Sequence, residues 1–148
     1  MDKKSVLITG CSDGGIGGAL ALAFAQRGLL VFATTRKIAS MSKLTNLPNV
    51  RLLVLDITNQ AQIHAAVEAV KKETGGSLDY LVNNAAQGRF MPLLDEAEGF
   101  KEAKELFDLN LWAQLSMVQA FTPLLMEAKG TVAYISSLAT RVNMPWLG

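Results

Sequence analysis

Short runs of consecutive apolar residues alternate along this chain with longer stretches in which apolar positions recur every three to four residues. The runs Ser5 to Thr9, Leu30 to Thr34, Arg51 to Leu55, Tyr80 to Asn83 and Thr131 to Ser136 are apolar nearly throughout, the pattern of strands buried on both faces. The first helical stretch opens at a glycine cluster, carries Leu20, Phe24 and the aliphatic part of Arg27 on one side, and stops at Gly28. A weaker one covers Ile38 to Leu44. The next runs from Thr58, a suitable N-cap, to about Thr74, with Ile63, Val67 and Val70 on one stripe. The longest spans Asp95 to Glu127, with Phe100, Ala103, Phe107, Leu111 and Val118 along one face and Pro123 expected to kink it. Strands alternating with helices in this way predict an α/β fold, a parallel sheet covered by helices on both sides.

Composition narrows the picture. The chain has 148 residues and a net charge of +1, and it is half hydrophobic with 18% charged residues, which excludes disorder and fits a single domain. A chain this long buries roughly 70% of its extended surface, so no disulfide or structural metal is needed. Without a long Lys/Arg block, a dedicated nucleic-acid binder is not expected. The one cysteine, Cys11, excludes an internal disulfide and any cysteine-cluster metal site. Val6 to Ile8 is too short for a secretory h-region, and the stretch Ile16 to Ala25 is too short to span a bilayer. The expectation is a soluble cytoplasmic protein, with peripheral association with lipid left open.

The informative segment is VLITGCSDGGIGG, Val6 to Gly18, where a buried strand runs into a glycine-rich turn and then a helix. Such a turn admits a ligand close to the backbone and offers helix N-terminal N–H groups to a phosphate. A P-loop would need GxxxxGK and then Ser or Thr, but Ile16 and Gly17 follow Gly15, so that reading fails. A nucleophile elbow is matched by Gly10-Cys11-Ser12-Asp13-Gly14, and Ser12, Asp56 and His64 follow the chain order of a hydrolase triad. His64, however, falls inside a helix with no loop to bring it to Ser12, and a helix-surface histidine is the plainer reading. The third use is dinucleotide binding, whose weight depends on what stands at the ends of the other strands.

There the chain resembles the short-chain dehydrogenase/reductase family. Thr9-Gly10 and Gly15-Ile16-Gly17 look like its TGxxxGIG loop, Asp56-Ile57 like its adenine-contacting pair, and Leu81 to Ala86 like its LVNNAG strand. Asn110 looks like its active-site Asn, and Ser136-Ser137 like its serine strand. Two departures stand out: four residues rather than three separate Gly10 from Gly15, and Ala86 replaces the usual Gly. The CSDGGIG loop is similar to that of acyl-dihydroxyacetone-phosphate reductases within the family. The resemblance implies a Rossmann-type doubly wound sheet, here of five strands in the order 3-2-1-4-5 with the final strands missing. The strand Thr131 to Ser136 would then be an unpaired edge, prone to self-association.

Cofactor choice follows from charge. An NAD enzyme normally places an acid at the end of the second strand, which would repel a 2′-phosphate. Here that strand ends Thr34-Thr35-Arg36-Lys37, with no acid and a guanidinium suited to phosphate, so NADP(H) is expected; the plainer reading is a solvated basic turn. The expected cofactor contacts are Gly10, Ser12, Asp13, Gly15, Ile16, Gly17, Thr35, Arg36, Lys37, Asp56, Ile57, Asn83 and Ala85, with no metal. Asp56 could instead be a helix cap, and Asn83 and Ala85 a plain strand-end turn.

The resemblance implies hydride transfer between nicotinamide and a carbonyl or alcohol carbon of a lipid-like or secondary-metabolite substrate. Ser137 would bond the substrate oxygen and Asn110 would hold a relay water. Either could instead be structural, Asn110 satisfying backbone groups in the long helix and Ser137 ending a strand. The family's acid/base Tyr follows the serine by about thirteen residues, with a Lys four further on, and that count passes Gly148. Tyr80 and Tyr134 are followed at that spacing by Asn84 and Leu138. The expectation is therefore the N-terminal part of a reductase, or a non-catalytic NADP-binding fragment. The tail Val142 to Gly148 reads as a substrate-side loop or an ordinary terminus, and association into a homo-oligomer would use the long helix.

Overall fold

The computed structural model describes residues 3–142 and 146. Five parallel strands, β1 (Ser5–Ile8), β2 (Leu30–Thr35), β3 (Val50–Val54), β4 (Tyr80–Asn83) and β5 (Thr131–Tyr134), form one sheet in the order β3-β2-β1-β4-β5. Helices α1 (Ile16–Gln26), α2 (Gln60–Thr74), α3 (Lys101–Phe107) and α4 (Ala113–Ala128) make the crossovers, with a kinked 3-10 segment at Ile38–Leu44 between β2 and β3. Parallel strands cannot be joined by hairpins, so every apolar run must be followed by a covering segment. The alternation in β1 shows the result. Leu7 joins the core under α2 and α4 with Leu81, Met117 and Phe121, whereas Val6 and Ile8 join the core under α1 with Ala21, Val31 and Met41.

The sheet order and the presence of all five strands are as expected, with β1 stopping at Ile8, β2 running one residue further to Thr35, β3 shifted by one residue to Val50–Val54, and β5 stopping at Tyr134 rather than Ser136. The helices differ in detail. The buried face of α1 is Gly17, Ala21 and Ala25, spaced four apart, while Leu20 and Phe24 are half-buried and Arg27 is exposed. Small residues let this helix lie close on the sheet, and the larger ones fill its flanks. The N-cap of α2 is Asn59, whose side chain accepts from the Gln62 N–H, and not Thr58. Ile63 and Val70 are buried as the stripe requires.

The long helix is interrupted by a π turn, Asp108–Trp112, between α3 and α4, and it continues through Pro123 to Ala128. The expected inner face is also corrected. Phe100, Phe107 and Leu111 are exposed, and the buried stripe is Ala113, Met117, Phe121, Leu124 and Leu125. Met144, Pro145 and Leu147 of the anticipated substrate-side loop lie outside the described residues. Among the described residues no helix is long and apolar enough to cross a membrane.

Candidate functional site

The C-terminal ends of β1 to β4 open on a cleft of about 650 Å³ lined by Gly10, Ser12, Thr35, Arg36, Asp56, Ile57, Asn84, Ala85 and Gln87, with Glu105, Asp108 and Leu109 on the facing helix. In open α/β sheets this is the crevice where ligands bind, at the point where the strand order reverses. β1 lies at that point, with β2 on one side and β4 on the other.

The turn after β1 is held from below. Buried Thr9 accepts through its hydroxyl from the backbone N–H groups of Asn84 and Ala85, both at 2.9 Å. The Asn84 amide donates back to the carbonyls of Thr9 and Gly10, at 2.8 and 3.1 Å. Gly10 takes φ +73° to make the bend, and a Cβ on Gly17 would be driven into the Gly10 carbonyl and the Asn84 amide. The chain therefore turns tightly enough for α1 to begin beside the cleft. Its N-cap is Gly15, with no side-chain cap and no acid in the first turn, so the first N–H groups of α1 are left for an anion.

At the end of β2 lies a hydroxyl cluster, of which Ser12 and Thr35 line the same cleft. Ser12 Oγ lies 3.4 Å from Thr35 Oγ1 and 3.3 Å from Ser40 Oγ, and the last two lie 3.3 Å apart. Arg36 lines the cleft beside them, whereas Lys37 is exposed outside the lining. Asp56 also lines it. Its Oδ1 accepts from the Thr58 hydroxyl at 2.7 Å and the Thr58 N–H at 3.0 Å, and these bonds, with Arg36 adding attraction, hold the carboxyl below its usual range. Ile57 is buried in the lining.

Several expected residues sit elsewhere. Asp13 turns away from the cleft toward Ser42 and Lys43. Asn83 is fully buried with both side-chain polar atoms unpartnered, its carbonyl accepts from the Ile135 N–H, and it does not line the cleft. The reason is strand alternation, which puts Asn83 on the same face as Leu81. Gly15, Ile16 and Gly17 flank the cleft at the start of α1 without lining it. Asn110 sits in the π turn and clasps one residue, accepting from the Gln87 N–H at 3.0 Å and donating to the Gln87 carbonyl at 2.8 Å. Ser137 follows β5 and its hydroxyl accepts from the Ala139 N–H, capping the short turn Leu138–Thr140. No hydrogen bond joins it to Asn110.

The hydrolase reading is overturned. His64 is exposed on α2, Asp56 is engaged by Thr58, and the neighbours of Ser12 are hydroxyls. The Cys11 thiol is no nucleophile either, since burial pushes its pKa up to about 12 and it donates to the Ile8 carbonyl. Sequence reasoning missed Ser40 and Gln87, which carry no motif and reach the site only through the fold. It also missed the anchoring role of Asn84, although that residue stands in plain view in the LVNNAA strand.

The sequence matches the model of the short chain dehydrogenase family over residues 4–148. The chain belongs to the short-chain dehydrogenase family. It is 50% identical over its full length to the short-chain dehydrogenase ptmH of Penicillium ochrochloron, of which it covers 54%. It is 40% identical over 95% of its length to the NADPH-dependent 1-acyldihydroxyacetone phosphate reductase of Schizosaccharomyces pombe, of which it covers 46%. Among solved structures, the alcohol dehydrogenase of Thermococcus sibiricus complexed with 5-hydroxy-NADP superposes with TM-score 0.86 at 25% identity, over 98% of this chain and 63% of that one. A short-chain dehydrogenase of Streptomyces avermitilis gives TM-score 0.86 at 27% identity, over 98% and 53%. The chain thus spans about half the length of the curated relatives it matches. The cleft combines the strand-end crevice, the uncapped start of α1 beside it and a cationic and hydroxyl-lined rim at β2, a donor set that fits a nicotinamide dinucleotide.

Proposed function

We propose that this chain binds NADP(H) and that, in a polypeptide as long as its relatives, it serves a reductase that converts a carbonyl to an alcohol on a lipid-like or secondary-metabolite substrate. The observation that carries the reading is the rim at the end of β2, where Arg36 and the hydroxyls of Ser12 and Thr35 line the cleft and no acid occupies the position that would repel a 2′-phosphate. An NADPH-dependent reductase among the relatives and an NADP-type ligand in a structural neighbour support it.

In this reading the first N–H groups of α1 would hold the pyrophosphate, Arg36 with Ser12, Thr35 and Ser40 would hold the 2′-phosphate, and Asp56 and Ile57 would border the adenine. The coenzyme would supply the hydride, or take it up in the reverse direction, at the substrate carbon. Ser137 would donate a hydrogen bond to the substrate oxygen, keeping its own proton, and Asn110, fixed by its clasp on Gln87, would orient a water for proton transfer. A second reading, a nucleotide-binding fragment without turnover, is favoured for the 148-residue chain by itself, because no Tyr in it is followed four residues later by Lys.

Calorimetric titration with NADPH and NADH tests the assignment. Arg36→Ala is expected to weaken NADPH about 10- to 100-fold, the equivalent of one or two charge-assisted bonds, and to leave NADH nearly unchanged. Equal loss of both would remove the phosphate role. The 148-residue chain should bind NADPH yet reduce carbonyl substrates no faster than buffer.

A further inference from the structure

In the loop between β1 and α1 four residues, Cys11 to Gly14, separate Gly10 from Gly15, one more than in the TGxxxGIG pattern, and Asp13 is one of them. Its carboxylate accepts three hydrogen bonds from the segment after β2: from the Ser42 N–H at 2.8 Å, the Ser42 hydroxyl at 2.7 Å and the Lys43 N–H at 3.3 Å. Its own N–H donates to the Ser40 carbonyl at 2.7 Å. The 3-10 segment is kinked at Met41 (φ −116°, ψ 39°), and Met41, which precedes the turn that restarts at Ser42, carries no oxygen acceptor to cap it. Asp13 caps it from another part of the chain. Next door Ser12 meets Thr35 and Ser40, so the loop that would carry the pyrophosphate and the segment that would carry the 2′-phosphate are tied at two successive residues.

The geometry points to Asp13 as a positioning residue that couples these two phosphate subsites and so sets the preference for the 2′-phosphorylated coenzyme without touching it. This inference rests on the NADP(H) reading above. The carboxylate has no role as a direct ligand, because an anion there would repel phosphate; its orientation toward Ser42 and Lys43 spends that charge on backbone donors. Ser40, fixed by the Asp13 N–H and by donating its hydroxyl to the Lys37 carbonyl at 2.7 Å, is thereby held beside Ser12 and Thr35.

Charge alone and the clasp predict opposite signs for one substitution. Removing a negative charge near a phosphate site should tighten NADPH binding, whereas releasing the clasp should loosen it. Asp13→Ala is expected to weaken NADPH about tenfold and NADH no more than about twofold, with Asp13→Asn between parent and alanine because one acceptor oxygen remains. Ser42→Ala, which removes one bond and no charge, should cost NADPH about threefold. Asp13→Ala and Arg36→Ala should be non-additive in NADPH titrations, a coupling that a merely structural residue would not show. Asp13→Ala binding NADPH as tightly as the parent or tighter overturns the inference, as does equal loss of both coenzymes or strict additivity with Arg36→Ala. Should Asp13→Ala fail to fold, Ser42→Ala decides, and unchanged NADPH affinity in that variant overturns it. A parent chain that takes up neither coenzyme overturns the NADP(H) reading itself, a result distinct from any of these.

Discussion

Gly17, at the start of α1 beside the cleft, has no room for a side chain, because any Cβ there meets the Gly10 carbonyl and the Asn84 amide together. Neither neighbour can yield cheaply, since each is part of the Thr9–Asn84 lock. Gly17→Ala should therefore lower stability by about 1–3 kcal/mol, the usual cost of overpacking, measured as a shift in the denaturant midpoint. The acid side of the stability curve has its own residues. The Ser42 hydroxyl bond holds Asp13 below the ordinary carboxylate range, and the Thr58 hydroxyl bond does the same for Asp56. A depressed folded pKa contributes stability that is present above the unfolded value, about 3.9, and is lost as pH falls through the folded one. Melting temperature should therefore decline below about pH 4, and less steeply in a variant carrying both Asp13→Asn and Asp56→Asn. At this scale the sequence shows charge and motif but not partnership. Arg36 is legible because it directly follows a strand, whereas the bond that Ser42 donates to Asp13 spans 29 residues of sequence and exists only after the sheet has formed.

The strands of this chain are legible because each is apolar on both faces, and a parallel sheet asks for that. The long helix is harder to read. It bears Phe107, Leu111, Trp112 and Leu115 on an outward side and Ala113, Met117, Phe121 and Leu124 on the inward one. With apolar residues on both sides, periodicity alone cannot choose between them. The π turn adds a break in phase at Asp108–Trp112 that no residue type announces, yet it is where Asn110 emerges to hold Gln87. The end of α4 offers a test of element stability. Lys129 adopts φ +50°, donating its N–H to the Met126 carbonyl, while Gly130 N–H bonds the Leu125 carbonyl. These two bonds make the Schellman pattern, whose left-handed position glycine fills without strain. Lys129→Gly should raise stability by about 1 kcal/mol in chemical denaturation.

As a whole the molecule is a sheet with an asymmetric boundary. The order β3-β2-β1-β4-β5 was expected and is observed, and it leaves β5 on the flank with Thr131, Ala133 and Tyr134 exposed while Val132 and Ile135 are half-buried. Unpaired backbone groups on such a strand template association with another chain. Size-exclusion chromatography over a range of concentrations should show the 148-residue chain associating, and Ala133→Lys, a charge on the exposed edge, should shift it toward monomer. A concentration-independent monomer in the parent would contradict this.

The position of that flank has a practical corollary. β4 stands between β5 and the strands β1, β2 and β3, whose tips also lead into the cleft. Copies that zip together along the flank would keep their nucleotide mouths unobstructed, so coenzyme stoichiometry per chain should be the same in dilute and crowded samples.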